Sequence, residues 1–129
     1  MNNWLTAAAV IVVGMATVAG PAAAQSGEAS KGQRVFNTQC KSCHTLEKDG
    51  AQVTGPNLHG LVGRKAGTSA GYAYSDAMKN SGIVWDETTL AEYNRDPKGK
   101  VPGTKMLYNG VKNAGQLADL VAYLKEATK

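Results

Sequence analysis

The chain predicts an all-α fold with long loops, and three observations carry that expectation. Apolar residues recur at the helical period near both ends of the segment that follows residue 27. No run of β-branched residues marks a strand around the two cysteines. Glycine-rich stretches without period fill residues 50–75, where glycine permits tight turns and close approach to a bulky ligand. Taken in order, the first helix runs from about Glu28 to Cys40, with Gly32 and Phe36 one turn apart. A short helix follows Ser75 as cap and stops at Gly82. A middle helix runs from Glu87 to Asp96, with Asp86 as cap, and ends before Pro97. The last spans Ala114 to Ala127, where Leu117, Leu120, Val121 and Leu124 fall at i, i+3, i+4 and i+7. The two terminal helices are expected to cross, with Gly32 letting the backbones approach.

The first residues read differently. Leu5 to Ala19 is apolar apart from Thr6, Gly14 and Thr17, and Gly20-Pro21 and Ala22-Ala23-Ala24-Gln25 follow. An apolar stretch of about 15 residues ending in small residues matches a cleaved secretory signal. Residues 1–24 are therefore expected to be removed and residues 25–129 to form one folded domain. The competing reading is a retained anchor, but a spanning helix needs roughly 20 apolar residues, and Gly20-Pro21 interrupts this one. An exported chain would work in the periplasm. Residues 1–24 hold no Lys or Arg, so the domain keeps the whole net charge of +4. That balance favours acidic partners, and no basic run points to nucleic acid.

Both cysteines lie in Cys40-Lys41-Ser42-Cys43-His44. Several chemistries compete for them. A redox-active C-x-x-C needs a βαβ setting, which is absent. Structural zinc needs four ligands, and only His59 remains. A disulfide beside an unrelated histidine would leave the imidazole without a role. Covalent haem attachment uses all three residues: thiols at i and i+3 share one helix face and add to two vinyl groups, and the adjacent imidazole reaches the iron. The sixth iron position has three candidates, Met78, Met106 and His59. Met78 on its short helix fits core filling, and a loop histidine is commonly solvated. Spacing and the Pro102-Gly103 turn favour Met106, presented from a loop that wraps a flat cofactor.

Beyond the generic motif, the chain resembles the class I c-type cytochromes, close to the mitochondrial cytochrome c group and its soluble bacterial relatives. The matching segments are GQRVF at 32–36, CKSCH at 40–44, GPNL at 55–58, GRKAG at 63–67, GYAYS at 71–75, GIVW at 82–85, PGTKM at 102–106 and DLVAYL at 119–124. The resemblance implies the cytochrome c fold around one covalently bound haem c, attached through Cys40 and Cys43. It implies His44 and Met106 as iron ligands, with the Pro56 carbonyl receiving the His44 N–H. By the same resemblance Arg64, Tyr74 and Trp85 hydrogen-bond the haem propionates, and Tyr93 and Thr104 lie on the Met106 side. The chain departs from its relatives at Met78, where Asn is usual, at Asn94 for Leu, at Leu117 for Arg and at Gln52 for His.

The expected function is a soluble, monomeric, periplasmic one-electron carrier and not an enzyme. Its donor would be a quinol–cytochrome c reductase, and its acceptor a terminal oxidase or a photosynthetic reaction centre. A rim of Lys41, Lys98, Lys100, Lys105 and Lys112, joined by Arg34, would steer docking onto acidic patches of those membrane complexes. Gln39 and Val53 interrupt that rim. The alternative is a haem peroxidase or gas-binding sensor in which Met106 leaves the iron.

Overall fold

A computed structural model describes residues 26–129; the leader read at residues 1–24 lies outside them. The chain folds into five helices: α1 (Ala29–Gln39), α2 (Asp76–Lys79), α3 (Glu87–Arg95), α4 (Pro97–Lys100) and α5 (Ala114–Ala127). No strand forms among the described residues, and a single bridge joins Lys65 to Val84. The all-α expectation holds. Among the described residues no helix is long and apolar enough to cross a membrane.

The terminal helices pack against each other. No side chain caps the start of α1; its seat is α5 itself. The Glu28 backbone N–H donates to Asp119 Oδ1 at 2.7 Å. One turn on, Gly32 lies so close that a Cβ there would stand 1.9 Å from the Asp119 carbonyl oxygen. The Phe36 ring meets Tyr123 at 5.6 Å between centroids. On α5, Leu117, Leu120, Val121 and Leu124 are all buried, as their period requires. Gly32→Ala is expected to force the two backbones apart at a cost of about 3 kcal/mol, read as a lower midpoint in chemical denaturation.

Local chemistry sets the other elements. Asp86 and Thr89 form a reciprocal capping box at the start of α3, with Thr89 N donating to Asp86 Oδ1 at 2.8 Å and Asp86 N to Thr89 Oγ1 at 2.9 Å. Ser75 caps α2 by accepting from Met78 N at 3.1 Å. Pro97 ends α3, as expected, but it also opens α4, where Asp96 accepts from Gly99 N at 3.1 Å. A proline is as much a first-turn residue as a stop signal, and the sequence reading used only the second meaning.

The core is divided. One buried cluster contains Leu61, Met78, Trp85, Leu90, Tyr93 and Val121. The other contains Val35, Phe36, Cys40, Leu117, Leu120 and Leu124. Leu58 and Ala91 pack against both. Residues of both clusters line one cavity of about 340 Å³.

Candidate functional site

The cavity wall begins where α1 ends. The sequence reading placed Cys40 inside the first helix; the helix closes at Gln39, with Cys40 as its C-cap. The chain then makes a separate turn. Cys40 N and Lys41 N both donate to the Phe36 carbonyl, at 2.8 and 2.9 Å. Cys43 N and His44 N both donate to the Cys40 carbonyl at 3.0 Å. That turn brings Cys40, Cys43 and His44 to one cavity. No disulfide joins Cys40 and Cys43. Burial, then the neighbouring Cys43, pushes the Cys40 thiol up to about 11, so it stays protonated.

His44 is oriented by its partner. Its Nδ1 lies 2.8 Å from the Pro56 carbonyl oxygen. A carbonyl only accepts, so Nδ1 carries the proton and Nε2 keeps its lone pair. Burial lowers the His44 pKa, opposed in part by the Pro56 bond, and the ring is neutral. Gly55 makes room for it: a Cβ there would stand 2.5 Å from His44 Cε1. The supporting loops are tied by Gln52, one of the departures from the resembled family. Its Oε1 accepts from Asn57 N at 3.1 Å and its Nε2 donates to the Ala70 carbonyl at 2.6 Å. An amide thus bridges two loops.

Met106 lines the same cavity, is half-buried and packs against the cluster of Leu90 and Tyr93. Its loop is anchored twice. Tyr93 Oη and Thr104 Oγ1 lie 2.7 Å apart, and Met106 N donates to Thr104 Oγ1 at 3.3 Å. Lys105 Nζ donates to the Ala73 carbonyl at 2.6 Å. Burial raises the Tyr93 pKa, with Thr104 working against it, so the phenol keeps its proton. Of the three candidates for the sixth position, Met106 and Met78 line the cavity and His59 does not. The backbone N–H of His59 donates to Asn57 Oδ1 at 3.0 Å and its carbonyl accepts from Arg64 Nη1 at 2.9 Å.

Arg64, Tyr74 and Trp85, which the resemblance assigns to the haem propionates, all line the cavity. Arg64 is held by its two backbone bonds, the second from Nη2 to the Asn57 carbonyl at 3.3 Å. Tyr72 is a lining residue to which the sequence reading gave no role. Its ring meets Tyr74 edge-on at 4.8 Å, and its hydroxyl donates to the Thr54 carbonyl at 3.0 Å. The alternation in Gly71-Tyr72-Ala73-Tyr74 was the available signal. Leu117, where relatives carry Arg, is buried in the core between α1 and α5.

Of the five lysines expected at a rim, only Lys105 lines the cavity. Lys41 and Lys98 are exposed. Lys100 pairs with Glu92 at 2.5 Å, and Lys112 donates to the Arg95 carbonyl at 2.7 Å.

These residues fit a haem. Two cysteine sulfurs, a neutral imidazole and a thioether line one largely apolar cavity. Among the described residues, no three His, Cys, Asp or Glu side chains gather into a metal cage.

A sequence model of the family described as Cytochrome c matches residues 29–128. Cytochrome c of Gibberella zeae is 52% identical over 103 residues, covering 80% of this chain and 97% of that protein. Cytochrome c of Ginkgo biloba is 48% identical over 105 residues, covering 81% and 93%. Cytochrome c of Chlamydomonas reinhardtii is 49% identical over 107 residues, covering 83% and 96%. These relatives correct one expectation. The periplasmic location, drawn from the apolar segment ahead of Gln25, gives way because the similar proteins belong to a fungus, a seed plant and a green alga. For the same reason the likeness holds at the level of class I c-type cytochromes and not of a bacterial branch.

Proposed function

Because the chain belongs to the cytochrome c family, we propose that it carries single electrons on a haem c bound through Cys40 and Cys43, with His44 and Met106 as the residues that would hold its iron. The family makes it an electron carrier with one covalently attached haem c, not an enzyme. The observation that supports the ligand pair best is a single cavity lined both by a neutral imidazole with its Nε2 free and by a thioether on an anchored loop.

The bound haem supplies the one-electron chemistry, and the chain's residues set its conditions. Pro56 fixes the His44 ring and raises its basicity as a ligand. Tyr93 and Thr104 hold the loop that carries Met106. Fixed residues limit structural change between oxidation states, which favours fast transfer. The apolar walls and the thioether disfavour extra positive charge and so raise the potential.

We further propose a quinol–cytochrome c reductase as donor and a terminal oxidase or photosynthetic reaction centre as acceptor. The carrier acts as a monomer, and residues 1–24 are a leader removed from the working protein. Docking uses the exposed cations Lys41, Lys98 and Lys105, with Lys100 and Lys112 contributing to the surrounding field. Changing both Lys98 and Lys105 to Gln is expected to slow turnover with an acidic partner by about threefold to tenfold at low ionic strength. The difference should vanish near 1 M salt, where screening acts within about 3 Å. An unchanged salt dependence removes these two lysines from docking.

The deciding experiment is a reduced-minus-oxidised spectrum of the purified protein together with its intact mass. A c-type spectrum with the methionine-to-iron band supports the reading, and the mass reports haem addition and leader removal. Colourless protein would sink it. So would rapid carbon monoxide binding by the native ferrous protein at neutral pH, which would favour a peroxidase or gas sensor.

A further inference from the structure

Asn94 is the polar side chain of the cavity that the ligand set leaves without a task. It lies in α3 beside Tyr93, is only 7% exposed, and lines the cavity. Its Nδ2 donates to the Leu90 carbonyl one turn back at 2.9 Å. Since a carbonyl only accepts, this bond fixes which end of the amide is nitrogen. No donor among the described residues reaches Oδ1 at the other end. Among those residues, every fully enclosed side-chain nitrogen or oxygen has a hydrogen-bond partner. Oδ1 is therefore not fully enclosed, and the residue that carries it lines the cavity. Leu90, Tyr93 and Met106 line the same cavity and belong to one apolar packing cluster.

We propose that Asn94 lowers the reduction potential of the bound haem, because its amide oxygen puts partial negative charge at the wall of the cavity that Met106 also lines. The inference rests on the ligand reading above. A fixed dipole in a poorly polarisable wall is felt strongly. Negative charge near the iron favours the ferric state, which carries one more positive charge, and polarity around a cofactor tunes its potential in the same sense. Arg64 opposes this from elsewhere in the cavity, but it is unchanged when position 94 alone is varied. Asn94 is thus a tuning residue: it ligates nothing and sets how readily the ferric state forms.

Asn94→Leu in the holoprotein removes the dipole with little change in size. At fixed ambient potential the oxidised-to-reduced ratio is expected to fall about tenfold, an upward shift of about 59 mV for one electron, read by spectroelectrochemical titration. An amide does not titrate, so the shift should be the same at about pH 5 and about pH 8. Asn94→Val serves the same reading where the leucine variant yields too little holoprotein. An unchanged or lower potential, with the methionine-to-iron band retained, overturns the proposal. So does loss of that band in the variant, since Asn94 would then act by holding Met106. Absence of the band from the unsubstituted protein is a different failure, that of the ligand reading.

Discussion

Met106→Ala is expected to lower the reduction potential by on the order of 0.2 V, a fraction of the ~0.8 V that axial ligands span. The same variant should bind carbon monoxide rapidly in the ferrous state, where the unsubstituted protein does so slowly. The thioether stabilises the less charged ferrous iron, so its loss moves the potential down, opposite to the shift expected at Asn94. Met78 makes the result informative. It is buried, lines the same cavity, and sits on α2, a four-residue helix. Should the potential survive the loss of Met106, the second sulfur has taken the iron, and Met106→Ala combined with Met78→Ala would then bring it down. His59 is the weaker substitute, because it lies outside the cavity lining and its backbone is tied to Asn57 and Arg64. A potential that neither variant moves removes sulfur ligation from the account.

Much of this was legible in the sequence where a local rule carried it. The stripe on α5 is a period, Asp86 and Ser75 are caps, and Gly32 opposite that stripe signals a close approach; each rule works within a few residues. The site residues Cys40, Cys43 and His44 were legible because three residue types at fixed spacing have few joint uses. Met106 was not separable from Met78 on spacing alone. Both reach the cavity, and what distinguishes Met106 is the anchoring of its loop by Tyr93 and Thr104, with Tyr93 eleven residues from Thr104. Gln52 stood out only as a departure from the resembled family, and the loop tie its amide makes with both ends was not legible, because its two partners, Asn57 and Ala70, are set by the loop folding. The turn from Cys40 to His44 escaped notice because two helical turns sharing a boundary look continuous by period. The split of the core into two clusters escaped it entirely, since no one-dimensional pattern records a cavity. The periplasmic expectation failed for another reason: it rested on composition ahead of the domain, where the residues say nothing about the domain's own chemistry.

Replacing both Cys40 and Cys43 with Ala is expected to yield a chain without stable haem and without a stable fold. The cavity holds about 340 Å³. At roughly 24 cal/mol for each Å³ of enclosed volume, leaving it unfilled costs at most about 8 kcal/mol, since part of the cavity is open to water. Small domains hold only about 5–15 kcal/mol in all, and a domain of about 100 residues has little surplus burial to draw on. The two core clusters face each other across that space and share only Leu58 and Ala91 at their edges. Without a filler they cannot close on each other while Gly32 keeps α1 against α5 and the Gln52 bridge keeps the loops around His44 in place. The thiols therefore act on folding as well as on function: they make the filler permanent. Far-UV circular dichroism of the double variant should show most of the helical signal lost, with no cooperative transition in urea. Either single variant keeps one attachment point and should fall between the two states, with Cys40→Ala the more damaged because Cys40 is also a buried core residue. A colourless double variant that kept its helices and unfolded cooperatively would mean that the two clusters form a sufficient core by themselves.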